Sequence, residues 1–466
     1  MEESLKGYFW TAEDPNLKHF GEIVVSTKEK KQQITIYGSF PEFERQHLDI
    51  NFHDDIPCLY GFTKERRYIT LIGLRIEYTS GSFGNDTEKS SFKAEYKLSF
   101  RQLIAGPAKF EADKKFNKVS ISAQFLGGWT KSNSIRQKPI STKPAKKTPS
   151  EIYELHRTDP ISFSFESGTC LFYDYISSQH RFDINHLDIQ QKTCFDFQFN
   201  QAMSVEELYL FLQKFREFYT LLTGVNLGLG PITLSDGVGL DFHYEYDRNI
   251  FNASYTSIGS DMRIMSLKTL AASDYLNRFF HSYDHFRLPL SHLMTYLNSD
   301  RSDYISYIQP FVSAMETIYN KSFRIIDENV KTINPTLVEI LDKYQLLPKH
   351  RQFLTNAKLA KPYRDLHLKD KLVRIINHSP KLIELVDDPE VFVRKILDLR
   401  HYLVHEVDKA HTDLSLLNNR ILLGKHIVKM KVVIEYHLLL LMGIDPAIVE
   451  EKIDRTFPNF VHFKRF

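Results

Sequence analysis

Cysteine is scarce in this sequence of 466 residues. The three cysteines, Cys58, Cys170 and Cys194, lie far apart, and none belongs to a CxxC pair. An odd number of scattered cysteines cannot close a set of disulfides, and it does not match the spacing of zinc-binding cysteines. The sequence therefore predicts a protein of a reducing compartment with no structural metal site.

Long apolar runs are also missing. The longest lies at residues 438–442, whereas a bilayer-spanning helix needs about 20 apolar residues. The first ten residues, MEESLKGYFW, lack the basic segment followed by an apolar segment that marks a signal peptide. We therefore expect a soluble cytoplasmic protein that makes no membrane contact.

Neither sign of charge dominates, since 60 Lys and Arg residues face 58 Asp and Glu residues, for a formal net charge of +2. This balance excludes a globally basic nucleic-acid packager and an acidic tail protein. The glycine patterns GxGxxG and GxxxxGKS/T are absent, so we expect no nucleotide triphosphate site and no cofactor. Apolar residues make up 42% of the chain, which is typical of a folded protein, and the length favours two or three domains.

The two halves of the sequence differ in hydrophobic period. Short runs in the first half alternate apolar and polar residues, as half-buried antiparallel strands do. These runs lie at 23–25, 33–37, 68–72, 74–78, 119–125, 161–165 and 195–199. One helix interrupts them, starting at Ser204 with Glu206 and Glu207 in its first turn. From about residue 265 the spacing is helical. We predict an α+β multidomain chain, with a β-rich, sandwich-like domain at 1–262 and an all-α bundle at 263–466.

A helix near the end of the chain carries the candidate chemistry. It opens with Asp387-Asp388-Pro389-Glu390, which places an Asp at the cap and an acid at the positive end of the helix dipole. At 100° per residue, one apolar stripe, which we expect to face the core, holds Phe392, Ile396, Leu399 and Leu403; a second holds Val393, Leu397 and Val404. Arg400 lies between the stripes, and the polar face holds Arg394, Asp398, His401 and His405. Two apolar stripes suggest contact with a second element, for which an identical helix of a second protomer would fit.

The residues Arg400, His401 and His405 suit proton transfer at a phosphate. An imidazole exchanges protons near neutral pH, and a guanidinium grips phosphate oxygens with a fork of donors. Together they suit transesterification of RNA without a metal. The spacing alone is weak evidence, because the sequence contains seven pairs in which a His lies five to seven positions after an Arg. The pairs are 181/186, 278/285, 287/292, 394/401, 400/405, 420/426 and 455/462. We favour 400/405 for its amphipathic helix; Pro289 and Pro458 argue against two rivals, and Gly424 against a third.

The segment Leu399-Arg400-His401-xxx-His405 resembles the RxxxxH signature of HEPN domains, where Asn is commoner than His after the Arg. The apolar run at 311–319, which contains Glu316, resembles the HEPN helix that carries an acid. In the first half, Gly7-Tyr8-Phe9-Trp10, Gly21-Glu22-Ile23 and Leu126-Gly127-Gly128-Trp129 resemble the ApeA N-terminal domain. That domain precedes an HEPN domain in bacterial abortive-infection proteins.

The resemblance implies a metal-independent endoribonuclease of antiphage defence, acting on RNA and particularly on the tRNA anticodon loop. It implies catalysis by Arg400 and His405 with help from His401, and a supporting role for Glu316 as a partner that orients the guanidinium. It also implies homodimerisation through the HEPN domain, an N-terminal domain that senses or restrains, and a phage protein as the possible trigger.

Two basic stretches suggest places where RNA is held. Residues 131–150 contain six Lys and Arg residues and no acid, as in a mobile surface loop or a contact for a phosphate backbone. Residues 342–374 are basic again, as in a solvated helical face or an RNA-cradling surface. The candidate RNA-binding residues are Lys358, Lys361, Arg364, Lys371 and Arg394.

Each candidate also has a purely structural interpretation. In that interpretation Arg400 forms an ion pair with Glu316, His405 only complements the helix dipole, and Arg394 and Asp398 form an i,i+4 pair. Trp10 and Trp129 fit core anchors better than a sensor surface. For the whole chain, the alternative function is a non-catalytic HEPN interaction or sensor scaffold in a defence system, and a nuclease that stays inert until triggered is a third possibility.

Overall fold

The computed structural model describes residues 2–26, 31–41, 43, 56–83, 92–110, 114–123, 135–138, 152–155, 159–180, 187–223, 229, 232–236, 241–246, 264–265, 267–299, 303–323, 343, 367–405 and 413–456. The chain divides into two compact units, Met1–His281 and Ser282–Phe466. The predicted boundary between residues 262 and 263 lies outside the described residues. The compact units divide later, at His281.

The first unit is built mainly of strands. Their bounds are β1 Glu2–Trp10, β2 His19–Ser26, β3 Lys31–Tyr37, β4 Ile56–Thr63, β5 Tyr68–Phe83, β6 Phe92–Ser99, β7 Gln102–Gly106, β8 Phe116–Ala123, β9 Ile135–Lys138, β10 Ile152–Leu155, β11 Ile161–Phe165, β12 Gly168–His180, β13 Leu187–Met203, β14 Ile232–Ser235 and β15 Asp241–Tyr246. Thirteen of the described strands form one antiparallel sheet in the order β11-β12-β13-β8-β14-β15-β7-β5-β4-β1-β2-β3-β6.

Part of this sheet closes on itself. Strand β6 pairs with β3 and also with β5, so that β5, β4, β1, β2, β3 and β6 form a closed ring. The alternate residues that point inward are apolar, and they include Phe9, Ile23, Ile36 and Leu59. A Cβ at Gly61 would lie 2.3 Å from the Phe9 ring, so glycine at this position lets the ring fill the interior.

Strand β5 belongs to both the ring and the open part of the sheet. Its first residues pair with β7, with Ile72 opposite Gln102, and its later residues pair with β6, starting with Arg75 opposite Ser99. Gly73 lies between the two pairings and has φ of 66°. Only glycine adopts this conformation at low cost, so the residue marks the corner where the strand changes partners.

Helix α1, Val205–Thr223, packs on the open part of the sheet. The Ser204 Oγ accepts from the Glu207 backbone N at 3.3 Å, and the Glu207 carboxylate accepts from the Ser204 backbone N at 2.8 Å. This reciprocal capping confirms the predicted start of the helix. The core beneath it is aromatic, with the Phe197 ring 4.7 Å from Phe215 and 5.1 Å from Phe211.

The β-rich first half and the helical second half are confirmed, and the chain is α+β. The sandwich-like layering takes a different form, because the strands share one continuous sheet that curls into a ring at one end. Part of the basic stretch 131–150 is not a loop: β9 pairs with β10, with Lys138 opposite Ile152. Trp10 is buried, as predicted, and Trp129 lies outside the described residues.

The described remainder of the chain is helical. The helices are α2 Leu267–Ala271, α3 Tyr275–Asn298, α4 Ile308–Ser322, α5 Leu368–Ile376, α6 Pro380–Val386, α7 Pro389–His405, α8 Ser415–Asn418, α9 Arg420–Leu441 and α10 Pro446–Thr456, with a 3₁₀ turn at Ile305–Tyr307. The division between the two units falls within α3.

Four helices of the second unit surround its core. Helix α4 contacts α5, α7 and α9, and α7 also contacts α5. Among the residues that these helices bury completely are Phe311, Ile375, Val393, Leu399 and Ile427. Among the helices that the structure describes, none combines the length and the apolar character that a bilayer crossing requires.

Candidate active site on the last turns of α7

Helix α7 begins as the sequence predicts. The Asp388 Oδ1 accepts hydrogen bonds from the backbone N of Glu390 at 2.9 Å and of Val391 at 3.0 Å. An acidic cap satisfies the first free N–H groups and complements the helix dipole. The start of the helix is therefore fixed three turns before the residues of interest.

The apolar stripes of α7 are buried only over its first part. Phe392, Val393, Ile396 and Leu399 are buried, and the Phe392 ring stacks on the His426 ring of α9 at 5.1 Å. The expectation that Leu403 lies in the core is wrong, because it is 37% exposed, and Val404 is 52% exposed. The last turn of α7 therefore extends beyond the core of its own unit, within the described residues.

Arg400 is held by a residue that the sequence does not indicate. Its Nε donates a hydrogen bond to Oε1 of Gln309, in the first turn of α4. Gln309 precedes Arg400 by 91 residues, and no spacing rule connects them. This contact ties the Nε of the guanidinium to α4.

The two histidines of the motif lie side by side. The rings of His401 and His405 are 4.7 Å apart between centroids, as expected for residues one turn apart on a helix. His405 is exposed, whereas His401 is half-buried. The last turns of α7 therefore carry two adjacent imidazoles and, from the neighbouring position 400, a guanidinium that is bound to Gln309.

Glu316 has a different partner from the predicted one. Its Oε1 lies 3.2 Å from Nζ of Lys371 on α5, and the described contacts of Arg400 do not include it. The Lys371 side chain is only 8% exposed, and its ammonium lies 5.9 Å from the Tyr319 ring centroid. This burial and pairing give Lys371 a structural role inside the unit, in place of the exposed position that contact with a phosphate backbone requires. The pair instead joins α4 to α5.

Replacing Glu316 by Gln should destabilise the second unit more than replacing Lys371 by Met. The first change leaves a buried ammonium without its carboxylate, whereas the second leaves a carboxylate that is already 37% exposed. We expect a loss of about 1–3 kcal/mol for Glu316→Gln and less for Lys371→Met. Urea unfolding of both variants measures this, and an equal loss would contradict the assigned roles.

The other candidate RNA-binding residues have separate outcomes. Lys358, Lys361 and Arg364 lie outside the described residues. Arg394 is exposed on α7. Hydrogen bonds from Ser415 hold the pKa of Asp413 below its usual range, and the charges of Lys395 and Arg394 add to this effect. Asp398 is not the described partner of Arg394: it accepts from the Asp413 backbone N at 3.1 Å and so ties the following segment to α7.

The rival pair Arg287 and His292 lies on an uninterrupted helix. Pro289 was expected to break the helix between Arg287 and His292, but α3 runs from Tyr275 to Asn298 with Pro289 inside it. Arg287 is exposed, and burial lowers the pKa of the His292 imidazole. This pair thus has the spacing of Arg400 and His405 on a second helix, and geometry alone does not exclude it.

Metal ligation has no candidate among the described residues, since no group of three or more His, Cys, Asp and Glu side chains is placed to hold an ion. The arrangement at the end of α7 offers hydrogen-bond donors and exchangeable protons.

Comparison with known proteins gives two matches that follow one another along the chain. The family model of ApeA N-terminal domain 1 matches residues 4–239, and that of Apea-like HEPN matches residues 311–447. The second match contains Arg400 and His405 but neither Arg287 nor His292, so only the first of these two Arg–His pairs lies in the HEPN domain. Neither the curated proteins nor the solved structures gave a match.

Proposed function

Since this chain belongs to the ApeA family of defence-associated HEPN proteins, with an ApeA N-terminal domain 1 ahead of an Apea-like HEPN domain, we propose that it is an antiphage endoribonuclease. Its substrate is RNA, most specifically tRNA cut in the anticodon loop. The observation that carries this proposal is the geometry at the end of α7. Arg400 is hydrogen-bonded to Gln309 and shares the last turns of α7, inside the HEPN match, with two adjacent histidines.

The proposed reaction is transesterification within the RNA strand. The ribose 2′-oxygen attacks the adjacent phosphorus, so a bond from O2′ to phosphorus forms and the bond from phosphorus to O5′ breaks. His405 takes the proton of the 2′-hydroxyl or gives a proton to the leaving O5′, and His401 assists this proton transfer. The Arg400 guanidinium binds the phosphate and stabilises its developing negative charge. The products are a 2′,3′-cyclic phosphate and a 5′-hydroxyl.

Dimerisation belongs to the proposal as well. One protomer offers a single exposed His405, whereas the reaction needs both a base and an acid. The exposure of Leu403 and Val404 beside the motif supports a contact with the same helix of a second copy. Such a symmetric contact would bring two motifs together.

Regulation is assigned to the N-terminal unit. In the proposed sequence of events, this unit restrains the nuclease until a phage protein is sensed, and RNA cleavage then stops growth of the infected cell. The support for this role is the order of the two family matches in one chain.

The function is tested by the chemistry of the RNA ends. Bacteria expressing the wild-type chain are sampled with and without phage, and tRNA ends are mapped. We expect fragments with 2′,3′-cyclic phosphate ends, and we expect the purified chain to produce the same ends with EDTA present. A substrate with a 2′-deoxy nucleotide at the cut position should remain whole. Intact RNA in every arm would contradict the proposal and favour a non-catalytic scaffold.

A further inference from the structure

A row of aromatic side chains crosses the outer face of the closed ring. Tyr68, Phe62, Tyr8, Phe20 and Tyr37 are direct cross-strand neighbours on β5, β4, β1, β2 and β3. We call these five residues the aromatic row. Neighbouring strands lie about 4.8 Å apart, so the row is about 19 Å long.

The aromatic row does not belong to the core. The residues next to it in sequence, including Phe9, Ile36 and Ile69, point into the ring, so the row occupies the opposite face of the strands. Tyr8 is 58% exposed, Tyr37 is 48% exposed and Phe62 is 38% exposed. Contiguous exposed rings of this kind mark an interaction surface, whereas single exposed apolar residues are common.

The rings are in contact within two groups of the row. The centroids of Phe62 and Tyr68 are 4.9 Å apart, those of Tyr8 and Phe20 are 5.9 Å apart, and those of Phe20 and Tyr37 are 6.0 Å apart. Aromatic side chains on an open sheet face can stack unpaired bases, each contributing to affinity without dependence on sequence.

The charges beside the aromatic row are those that a phosphate backbone requires. The Lys64 ammonium lies 5.9 Å from the Phe20 ring centroid. The turn between β4 and β5 joins Phe62 to Tyr68, at one end of the row, and carries exposed Lys64, Arg66 and Arg67 against one acid, Glu65.

Two acids on the strands of the ring each have a lysine partner. Glu22 pairs with Lys6 at 3.4 Å, and Glu95, which is opposite Tyr37, pairs with Lys97 at 3.8 Å. Centres of protein–protein interfaces are depleted in lysine, so a row with cations beside it fits nucleic acid better than a protein partner.

From the aromatic row and its cations we infer a second nucleic-acid site on the N-terminal unit, which binds an unpaired strand by base stacking. This site is separate from the residues at the end of α7. Its binding does not depend on cleavage, so it stands whether or not the chain is a ribonuclease.

The test uses the full chain and a fluorescein-labelled single-stranded oligodeoxynucleotide of about 12 nucleotides. This probe lacks the 2′-hydroxyl and cannot be cut by the proposed reaction. Fluorescence anisotropy should show tighter binding of the single strand than of the matching duplex. The double variant Tyr8→Ala with Tyr37→Ala should bind at least about tenfold more weakly, and Tyr8→Phe with Tyr37→Phe should bind like the wild type.

Two further variants separate stacking from charge and from general damage. Lys64→Gln should reduce the slope of log affinity against log salt by about 0.7. Leu210→Ala, which removes an exposed side chain on α1 of the same unit, should change nothing. Wild-type affinity in the double alanine variant, or equal affinity for single strand and duplex, would overturn the inference; in the first case the row would be a protein contact surface.

Discussion

Replacement of Arg400 by alanine is expected to slow RNA cleavage by a factor of at least about 10²–10³. The Arg400 side chain belongs to the last turns of α7, which also carry both motif histidines, and its Nε is hydrogen-bonded to Gln309. Its loss removes the donor that stabilises negative charge at the phosphate. His405→Ala should cost about 10²–10⁴, because it removes the group that transfers the proton. Cleavage rates on purified tRNA, with the 2′,3′-cyclic phosphate ends counted, measure both effects.

The control for this experiment lies in the same chain. Arg287 and His292 have the same spacing on α3, and Arg287 is exposed, so Arg287→Ala removes an equivalent charge outside the HEPN match. It should leave cleavage unchanged. Gln309→Ala should give an intermediate loss, with restored activity in Gln309→Glu, since Gln309 positions Arg400 and does not touch the phosphate.

Stability should separate a catalytic role for Arg400 from a structural one. Arg400 is partly exposed and its described partner is a single amide, so the free energy of unfolding should fall by no more than about 1 kcal/mol in Arg400→Ala. Full activity in both Arg400→Ala and His405→Ala would refute the assignment of the site. A large loss of stability in Arg400→Ala would instead show that it holds α7 to α4.

The second large effect is a loss of stability in mild acid. Burial lowers the pKa of His426 to about 4 and that of His437 to about 3, although the hydrogen bonds to Leu422 and Ile375 act in the opposite direction. In the unfolded chain both imidazoles titrate near pH 6.5. Between pH 6.5 and 4 the unfolded state therefore binds more protons than the folded state.

The direction of the pH effect follows from this difference. The stabilising contribution is complete above pH 6.5 and is lost as the pH falls toward the folded pKa values. Each histidine should lower the free energy of unfolding by about 1.4 kcal/mol per pH unit within that window. Two buried histidines give a slope of nearly twice that value, so by pH 4 the loss is about 6 kcal/mol, which equals the whole free energy of unfolding of a domain at the lower end of the ordinary range.

Urea unfolding of the chain between pH 7.5 and 4.5 measures the slope, with a probe that follows the helical unit. His426→Phe keeps the stack on Phe392 and removes one titrating group. The slope of its free energy of unfolding against pH should therefore be lower than that of the wild type, by the equivalent of up to one proton. His367→Gln is the matched control, because His367 is exposed at the start of α5 and makes no side-chain cap hydrogen bond. A pH-independent difference between wild type and His426→Phe would contradict this explanation.

Local patterns of the sequence predicted local features of the structure. The caps at Ser204 and Asp388, the period of the strands and the burial of the first part of α7 depend on residues within a few positions of one another, where spacing is informative. The partners of Arg400 and Glu316 were not predictable, because Gln309 and Lys371 reach them from distant parts of the chain. Pro289 misled for a similar reason: tertiary packing maintains a helix that proline disfavours locally.

The closure of the sheet was also not predictable from local sequence patterns. Alternation predicts which residues face inward, but not that β6 returns to both β3 and β5. Leu403 shows another limit of periodicity. It lies on the same side of α7 as the buried residues Ile396 and Leu399, but the core ends before it. Periodicity gives the side of a helix, whereas the length of the buried segment depends on where its neighbours stop.

The pairing of β15 with β7 also sets an order of events during synthesis. Tyr244 lies opposite Ile104, so the sheet of the first unit cannot be completed until the chain has been translated through β15. At roughly 5–20 residues per second, the ribosome needs about 7–30 s more to travel from residue 246 to residue 389, where α7 begins. Antiparallel sheets with distant pairings fold in milliseconds to seconds. The sheet therefore has time to assemble on the ribosome before Arg400 and His405 have been added to the chain.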